Sequence, residues 1–316
     1  MRTLYYGHNK FIPERNKMER QIEFFGRKLN VYKANLHTHT TISDGKYAPH
    51  EIIKLYSEAG YDVMAFTDHS RNNPVSTYDN CGMTLISGME MHPMGPRDIK
   101  WHLLAVGVPE DFSYNIDGTG QEATDSALAS GAVVFCAHPY WCGFTSAEVG
   151  SLEGISGIEI YNSSCLKVGR EYNMQCFDEL LDAGKKLTAI AVDDVHGPSH
   201  LFHGFTMICA EDKSEKSLLE AIRNGQFYAS EGPLFKSLTI ENNVLKASFT
   251  PVVRATVLRR RCGGTCFAMP DMEGPGTGSP EIDHLELDLS DIKNNYVRIQ
   301  LCDASGRFAW TNPLFL

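Results

Sequence analysis

The sequence predicts an α/β fold with a parallel sheet or barrel, followed by a small β domain, and three observations carry this prediction. Short apolar runs alternate with helical stretches over most of the chain. The alternation stops near Gly232-Pro233. Beyond it, short runs of alternating polarity are separated by turns and have no helical period. Alternating strands and helices are typical of parallel sheets, whereas short strands between turns are typical of all-β domains.

The individual elements follow from local patterns. Helices are expected where apolar side chains recur on one face and a glycine follows, at residues 49–60, around 174–184 and at 214–225. Buried strands are expected where apolar runs are continuous, at residues 63–66, 132–137, 157–161, 187–192 and 205–209. Later strands are expected at residues 253–258, 285–289 and 296–301, with a Gly/Pro loop at 274–280. A helix over residues 14–25 is the expectation for the N-terminal part.

Composition excludes several classes of protein. The 316 residues carry 29 Lys and Arg against 39 Asp and Glu, a formal net charge of −10. This balance disfavours stable nucleic-acid binding, which requires clustered basic residues, and no run approaches the roughly 18 apolar residues of a membrane span. The nine cysteines are scattered, as expected of free thiols in a reducing compartment. We therefore expect a cytoplasmic protein without a disulfide framework or a membrane partner.

Histidines and carboxylates recur just after the predicted strands. The motifs are His37-Thr38-His39, Ser43-Asp44-Gly45, Thr67-Asp68-His69, Glu90, His102, His138-Pro139 and Asp194-Val195-His196. Residues i and i+2 of a strand project to the same side, so the two histidines of a His-x-His pair can reach one ion. A single pair is nevertheless weak evidence, because two histidines on a strand more often face solvent. The repetition is stronger evidence, because the loops after successive strands of an α/β barrel converge on one face.

These motifs supply nine donor side chains, six imidazoles and three carboxylates, which are too many for one divalent ion. Ions of this kind take about four to six ligands each, so the expected cofactors are two or three divalent transition metal ions. Imidazole suits Zn, Mn or Fe better than Mg or Ca, which prefer oxygen ligands. The sequence therefore predicts a site with several transition-metal ions.

These pieces, in this order, resemble the polymerase and histidinol phosphatase (PHP) superfamily, in particular stand-alone phosphoesterases of the branch related to CehA/McbA-type PHP hydrolases. The resemblance covers roughly residues 33–233 and implies a distorted (β/α)7 PHP barrel with its metal site in a cleft at the strand ends. The predicted domains are an N-terminal extension at residues 1–33, the PHP metal-dependent hydrolase barrel at residues 34–233 and a small β-sandwich-like domain at residues 234–316.

The resemblance also implies how the nine donors share a trinuclear site. Grouped by ion, they are His37, His39 and Asp194; the bridging Glu90 with His102 and His138; and Asp44, His69 and His196. All nine positions carry the residue type that the resemblance requires. The chain therefore shows no sign of the lost ligands that mark inactive PHP domains.

The predicted activity is hydrolysis of a small phosphomonoester or a short phosphodiester. Bound ions lower the pKa of a coordinated water to about 7 and can clamp both oxygens of an in-line displacement. Two alternatives stay open: hydrolysis of carboxyl or carbamate esters at the same site, and a non-catalytic, metal-stabilised interaction module. The expected partner is a small phosphorylated substrate. A homo-oligomer, formed through contacts of the β domain, is a further possibility.

Five residues beyond the nine are candidates for catalysis or substrate binding. Asp68 precedes a predicted ligand and would either orient an imidazole or only cap a turn. Arg71, Lys167, Arg170 and His203 lie in loops after predicted strands, where they would bind a phosphate. Arg71 and His203 are also candidates for a catalytic part, such as protonation of the leaving group.

Other polar residues near the motifs receive a structural interpretation. His92 is assigned to a loop, and His200 is taken as an ordinary histidine. Ser163 and Ser164 are not required as nucleophiles, because activated water can attack directly. Asp193 admits the same two interpretations as Asp68, and the structural one is favoured.

Overall fold

The computed structural model describes residues 21–269, 281–293 and 296–316. Within them the helices are α1 Pro49–Glu58, α2 Gly120–Ala129, α3 Pro139–Cys142, α4 Ser146–Val149, α5 Met174–Asp182 and α6 Glu215–Arg223. The strands are β1 Gln21–Phe24, β2 Arg27–Asn35, β3 Val63–Phe66, β4 Thr84–Met91, β5 Leu103–Val106, β6 Val133–Cys136, β7 Gly157–Asn162, β8 Thr188–Val192 and β9 Phe205–Ala210. They continue with β10 Phe227–Ser230, β11 Phe235–Glu241, β12 Val244–Val252, β13 Arg254–Arg259, β14 Gly264–Ala268, β15 Ile282–Asp288, β16 Tyr296–Cys302, β17 Phe308–Thr311 and β18 Leu314–Phe315.

Residues 27–210 build a mixed sheet in which neighbouring strands follow the order β9-β2-β3-β4-β5-β6-β7-β8. The pairs β2–β3, β3–β4, β6–β7 and β7–β8 are parallel. The expectation of a parallel sheet is wrong at β5, which runs antiparallel to both β4 and β6, and at β9, which runs antiparallel to β2. The α/β class is confirmed, whereas a closed (β/α)7 barrel stays a prediction.

Helix α6 shows how the helices cover this sheet. Leu218, Leu219 and Ile222 share one face of the helix, and they pack in the same apolar cluster as Leu104 and Phe135 of the sheet. The Ser214 side chain accepts the backbone N–H of Ser217 and so caps the first turn. Full burial of each large aliphatic side chain stabilises the fold by about 1.5–3 kcal/mol, which fixes the helix against the strands.

The C-terminal third is built from β-strands, as the short alternating runs predict. Strand β12 pairs with β11 and β15, and β13 pairs with β14 and β16, all antiparallel. Phe249, Val257, Leu285 and Ile299 come from four of these strands and are buried in one apolar cluster. The same cluster contains Tyr56 of α1, so the apolar core is continuous across residue 233.

The N-terminal expectation is wrong in its described part. Residues 21–24 form strand β1, which pairs parallel with β11 and antiparallel with β2, rather than the end of a helix. Residues 14–20 and the Gly/Pro loop at 274–280 lie outside the described residues. Strand β2 crosses residue 33, one of the two predicted domain boundaries. The division into three segments stays a prediction.

The structure bears on two expectations from composition, which concern the state of the cysteines and membrane-spanning segments. All nine cysteine thiols are free, and four of them are buried. The longest helices in the described ranges, α1 and α2, have ten residues each. Within those ranges, no helix has the length and apolar character needed to span a bilayer.

The buried carboxyl group of Glu231 is expected to make the folding stability fall as the pH rises. Glu231 accepts the Tyr172 hydroxyl and the backbone N–H of Phe308, and burial raises its pKa from 4.5 to about 7. The folded state therefore binds a proton more tightly than the unfolded state, so this contribution to stability falls as the pH rises from 4.5 through 7. Glu231→Gln is expected to raise the free energy of unfolding at pH 8, by at most about 3 kcal/mol.

Urea unfolding of both proteins at pH 5 and pH 8 measures this effect. The two proteins should differ little at pH 5, where the carboxyl group is largely protonated. The exposed Glu58→Gln on α1 is the matched control and should leave the pH dependence unchanged. A Glu231→Gln protein that loses the same stability as the native protein between the two pH values would refute this assignment.

Candidate metal centre

The nine predicted ligands lie at one end of the first sheet, each close to the end of a strand. His37 and His39 follow β2, His69 follows β3, Glu90 lies near the end of β4, His102 directly precedes β5, His138 follows β6, and Asp194 and His196 follow β8. The reversed direction of β5 explains the position of His102, because the beginning of an antiparallel strand meets the ends of its neighbours. The Asp44 turn connects β2 to α1. We call these nine side chains the histidine–carboxylate cluster.

Glu90 lies at the centre of the histidine–carboxylate cluster. Oε2 lies 2.7 Å from His69 Nδ1, 3.4 Å from His39 Nε2 and 3.6 Å from His37 Nε2, and Oε1 lies 2.8 Å from His102 Nδ1 and 3.3 Å from His138 Nε2. One carboxylate thus lies close to five imidazoles from four separate strand ends. Such an arrangement suits a carboxylate that bridges two ions.

Two further carboxylates complete the cluster. Asp194 Oδ1 lies 3.1–3.4 Å from nitrogens of His37, His39 and His196. Asp44 Oδ1 lies 3.4 Å from His69 Nε2 and 3.5 Å from His196 Nε2. Candidate ligand atoms of His39, Asp44, His69 and His196 all lie within 4.8 Å of one another, as do those of His37, His39 and Asp194. The structure therefore brings all nine predicted side chains together, while their assignment to individual ions stays a prediction.

The unpaired oxygens of the cluster fit bound cations. Glu90 Oε2 and Asp194 Oδ1 are buried, and although imidazole nitrogens lie close to them, they accept no well-directed hydrogen bond from the described residues, an arrangement that is costly for a carboxylate unless a cation balances it. Burial opposes ionisation of Glu90, but the His102 and His37 imidazoles outweigh it and hold the pKa of Glu90 well below its ordinary value. The imidazoles likewise hold the pKa of Asp194 well below its ordinary value, despite burial. Both carboxylates are therefore ionised at neutral pH.

The imidazoles differ in how they would accept an ion. Burial lowers the pKa of His39 to about 4, so its ring is neutral and can donate a lone pair. Burial also acts on His37, but Asp194 and Glu159 outweigh it and raise the pKa of His37 well above its ordinary value. An ion bound at His37 would therefore displace a proton, and affinity is expected to rise with pH.

Two cluster residues have a backbone conformation that residues other than glycine rarely adopt. His138 has φ 27° and Asp194 has φ 50°, both in the left-handed region. Residues held there cost on the order of 1–3 kcal/mol each and occur preferentially at functional sites. For Asp194, a hydrogen bond from its backbone N–H to the His37 carbonyl, 3.0 Å long, helps to hold this conformation. Folding stability is thus partly given up to aim these two side chains.

Asp68 holds the Ser43-Asp44-Gly45 turn in place through hydrogen bonds. The buried Asp68 carboxylate accepts the backbone N–H and hydroxyl of both Thr40 and Ser43 and one amide N–H of Asn73. A Cβ on Gly45 would lie 2.4 Å from the His39 carbonyl oxygen, so only glycine fits where the turn passes His39. These contacts favour the alternative that Asp68 stabilises a turn, and its catalytic role stays a prediction.

Several groups that touch the cluster were not identified from the sequence. They are Glu159, whose Oε1 lies 2.6 Å from His37 Nδ1; Cys142, whose Sγ lies 3.4 Å from His138 Nδ1; Ser164 and Asn162, which donate to Asp194 Oδ2; and His92, 3.2 Å from His69. His200 is buried, and its Nδ1 accepts the His196 N–H. Two of these groups carry a signal in the sequence: Glu159 is a charged residue inside the apolar strand β7, and His92 lies two positions after Glu90.

Asp193 has the structural part that was favoured for it. Its buried carboxylate accepts the backbone N–H groups of Phe202, His203 and Gly204 and the hydroxyl of Tyr56. These bonds fix the loop after β8 against α1. The loop can therefore present Asp194 to the cluster from a rigid support.

Glu159→Gln is expected to weaken metal binding by about 10- to 100-fold, the usual effect of losing a carboxylate that holds a metal-binding histidine. Glu159 accepts a hydrogen bond from His37 Nδ1–H, which leaves the Nε2 lone pair facing Asp194 and Glu90. A neutral amide accepts this proton less strongly and also permits the other tautomer. Competition with a chromogenic chelator measures the affinity. The exposed Glu153→Gln is the control, and equal affinities of the two variants would contradict this assignment.

The predicted substrate-binding residues lie around the cluster rather than in it. Arg71 is exposed and lines a pocket of about 300 Å³ together with Ser70, which follows His69. The Arg170 guanidinium lies 5.2 Å from the Tyr140 ring and beside the Trp141 carbonyl, and the exposed Trp141 ring contacts the rings of His102 and His138 edge-on.

Lys167 and His203 are both exposed, on the loops after β7 and β8. The backbone N–H of His203 is bonded to Asp193, which fixes its position in the chain. All four predicted substrate-binding residues therefore belong to loops next to the ligand-bearing strand ends. Their roles stay predictions.

The mixed α/β sheet, with the histidine–carboxylate cluster at its strand ends, is followed by antiparallel C-terminal strands, and this fold is similar to a solved structure. A two-domain protein from Bacteroides vulgatus, containing a predicted PHP-like metal-dependent phosphoesterase, is 16% identical with a TM-score of 0.52, over 90% of this chain and 96% of that chain. The PHP resemblance is thus confirmed at the level of the fold. The narrower CehA/McbA branch stays a prediction.

Other solved structures match less closely. The lesion-specific endonuclease EndoQ from Pyrococcus furiosus has a TM-score of 0.45 at 16% identity, over 61% of this chain and 56% of that chain. An amidohydrolase from Chromobacterium violaceum, with bound sulfate and no metal, has a TM-score of 0.43 at 15% identity, over 52% of this chain and 88% of that chain. No protein-family model and no curated protein matches the sequence. The fold comparison therefore rests on the Bacteroides vulgatus protein.

Proposed function

We propose that the protein is a metal-dependent hydrolase that cleaves phosphate esters, either a small phosphomonoester or a short phosphodiester. The observation that carries the proposal is the convergence of nine metal-binding side chains around the buried, unpaired oxygens of Glu90 and Asp194. The fold shared with a protein containing a PHP-like phosphoesterase supports it. The proposal includes two or three Zn, Mn or Fe ions as cofactors and a cytoplasmic location.

The side chains of this protein divide the expected work between them. Divalent ions bound in the cluster would supply Lewis-acid activation of water and of a phosphoryl oxygen. Glu90 and Asp194 hold the imidazoles in register, and their strained or buried settings keep the site preorganised. Arg71 and Arg170 are placed on the surrounding loops, where each can pair with a phosphate oxygen. Three carboxylates carry less charge than two or three divalent ions, so the loaded site would attract an anion.

Elemental analysis of the purified protein, combined with a substrate screen, tests this proposal. The screen measures phosphate release from monoesters and release of the leaving alcohol from diesters, beside hydrolysis of carboxyl esters and carbamates. We expect transition metal in the protein and release of phosphate that stops when a chelator removes the metal. Faster hydrolysis of carboxyl or carbamate esters would favour that alternative specificity. Protein that holds metal but hydrolyses none of the four classes would favour the interaction-module alternative.

A further inference from the structure

We propose that His92 is a tenth metal ligand, which binds an ion at Glu90 together with members of the histidine–carboxylate cluster. This inference concerns metal binding and rests on the proposed function only in assuming that the cluster binds metal. Among the nine side chains that the PHP resemblance assigns to metal, His92 does not appear. The evidence for it is the position of its ring relative to Glu90.

His92 Nε2 lies 3.4 Å from Glu90 Oε2, the same distance at which His39 Nε2 lies from that oxygen. Two ligands bound to one ion at about 2.0–2.2 Å in tetrahedral geometry are separated by about 3.3–3.6 Å. Glu90 Oε2 is fully buried and accepts no well-directed hydrogen bond from the described residues, so it is available to bind the same ion. The position of His92 is thus equivalent to that of a residue already assigned as a ligand.

The surrounding contacts keep His92 in this position. Its ring lies 4.3 Å from the His102 ring and 4.6 Å from the His69 ring, and its side chain is only 16% exposed. Its backbone N–H donates to the Tyr114 hydroxyl, which is also bonded to Ser70. The segment after β4 is therefore tied to the segment after His69, and the imidazole is held against Glu90.

His69 explains why an additional imidazole is useful here. Its Nε2 faces Asp44 at 3.4 Å, and its Nδ1 faces Glu90 Oε2 at 2.7 Å. A neutral imidazole has one lone pair, so His69 can bind an ion at only one of these two positions. If His69 binds through Nε2 beside Asp44 and His196, His92 supplies the imidazole at the Glu90 position. In that arrangement His92 is a direct ligand of the ion at Glu90.

Cobalt substitution tests whether His92 binds an ion directly. The native protein, His92→Ala and His92→Gln are saturated with Co²⁺, and visible absorption is recorded, because the d–d bands respond to the atoms bound to cobalt. We expect altered bands in both variants at saturation. Chelator competition should show an affinity for at least one ion reduced by more than about 10-fold, the lower end of the loss caused by removing only a supporting partner. His284→Ala, which removes an exposed histidine on β15, is the matched control.

The outcomes separate this inference from the proposed function. Unchanged bands with lower affinity would mean that His92 only orients His69, and unchanged bands with unchanged affinity would mean that it has no part in metal binding; both overturn the inference. Circular dichroism of the variants before cobalt is added shows whether they fold, and His92→Gln keeps the volume of the side chain. A native protein that binds cobalt but hydrolyses no phosphate ester refutes the proposed function while leaving the cobalt result decisive for His92.

Discussion

Glu90→Ala is expected to reduce phosphate release to the uncatalysed background, while the protein still unfolds in one cooperative transition. Glu90 is the carboxylate within 3.6 Å of five predicted ligand imidazoles, so its loss removes the atom pair that joins two parts of the cluster. His37→Ala and Asp44→Ala are expected to have the same effect from two other parts of the cluster. Phosphate release under saturating metal and urea unfolding measure the two properties separately.

The exposed His50→Ala, on α1, is the matched control for these three variants and should keep full activity. Activity retained in all three cluster variants would refute the ligand assignment. Loss of activity together with loss of cooperative unfolding would instead assign these residues to folding. The two measurements therefore have to be made on the same preparations.

Asp178→Ala is expected to cause the largest loss of folding stability among single polar substitutions on the helices. Asp178 of α5 accepts two hydrogen bonds of 2.8 Å from the guanidinium of Arg298 on β16, and the Arg298 side chain is fully buried. Removing one partner of a buried pair leaves an uncompensated charge, at a cost of about 3–5 kcal/mol. Because a third of the Asp178 side chain is exposed, we expect the lower end of that range.

Urea unfolding measures this loss, with Glu58→Ala as the control. Glu58 forms an exposed pair with Lys54 within α1, and such pairs contribute about 0–1 kcal/mol. A loss for Asp178→Ala no larger than that of the control would contradict the importance of the α5–β16 contact. The contact joins the predicted barrel to the C-terminal strands, so the result also measures how far the two parts depend on each other.

The ligand positions could be predicted from the sequence because each motif directly adjoins a strand end. His37, His39 and His69 stand within four residues of a buried strand, and parallel strands bring their ends to one edge. The short apolar run of β5 could not reveal its direction, because residues 103–106 show the same pattern whether the strand is parallel or antiparallel. Its reversal is visible only from its pairing with β4 and β6.

The supporting contacts could not be predicted because they join segments far apart in the chain. Glu159 reaches His37 across 122 positions, and no local pattern specifies that contact. Strand β1 illustrates the same limit, since its partner β11 begins more than 200 residues later. His92 lies two positions after Glu90, so the sequence allows both side chains to face the same side of the strand. The loop assignment follows from the PHP resemblance, which does not require His92 as a ligand.

Anomalous X-ray diffraction from crystals of the metal-loaded protein, recorded at the absorption edge of the metal found by elemental analysis, tests the central claim most directly. We predict two or three anomalous peaks inside the cluster, each within ligand distance of Glu90, Asp194 or Asp44. Peaks confined to the surface, or loaded crystals whose cluster region shows no anomalous signal, would contradict the account.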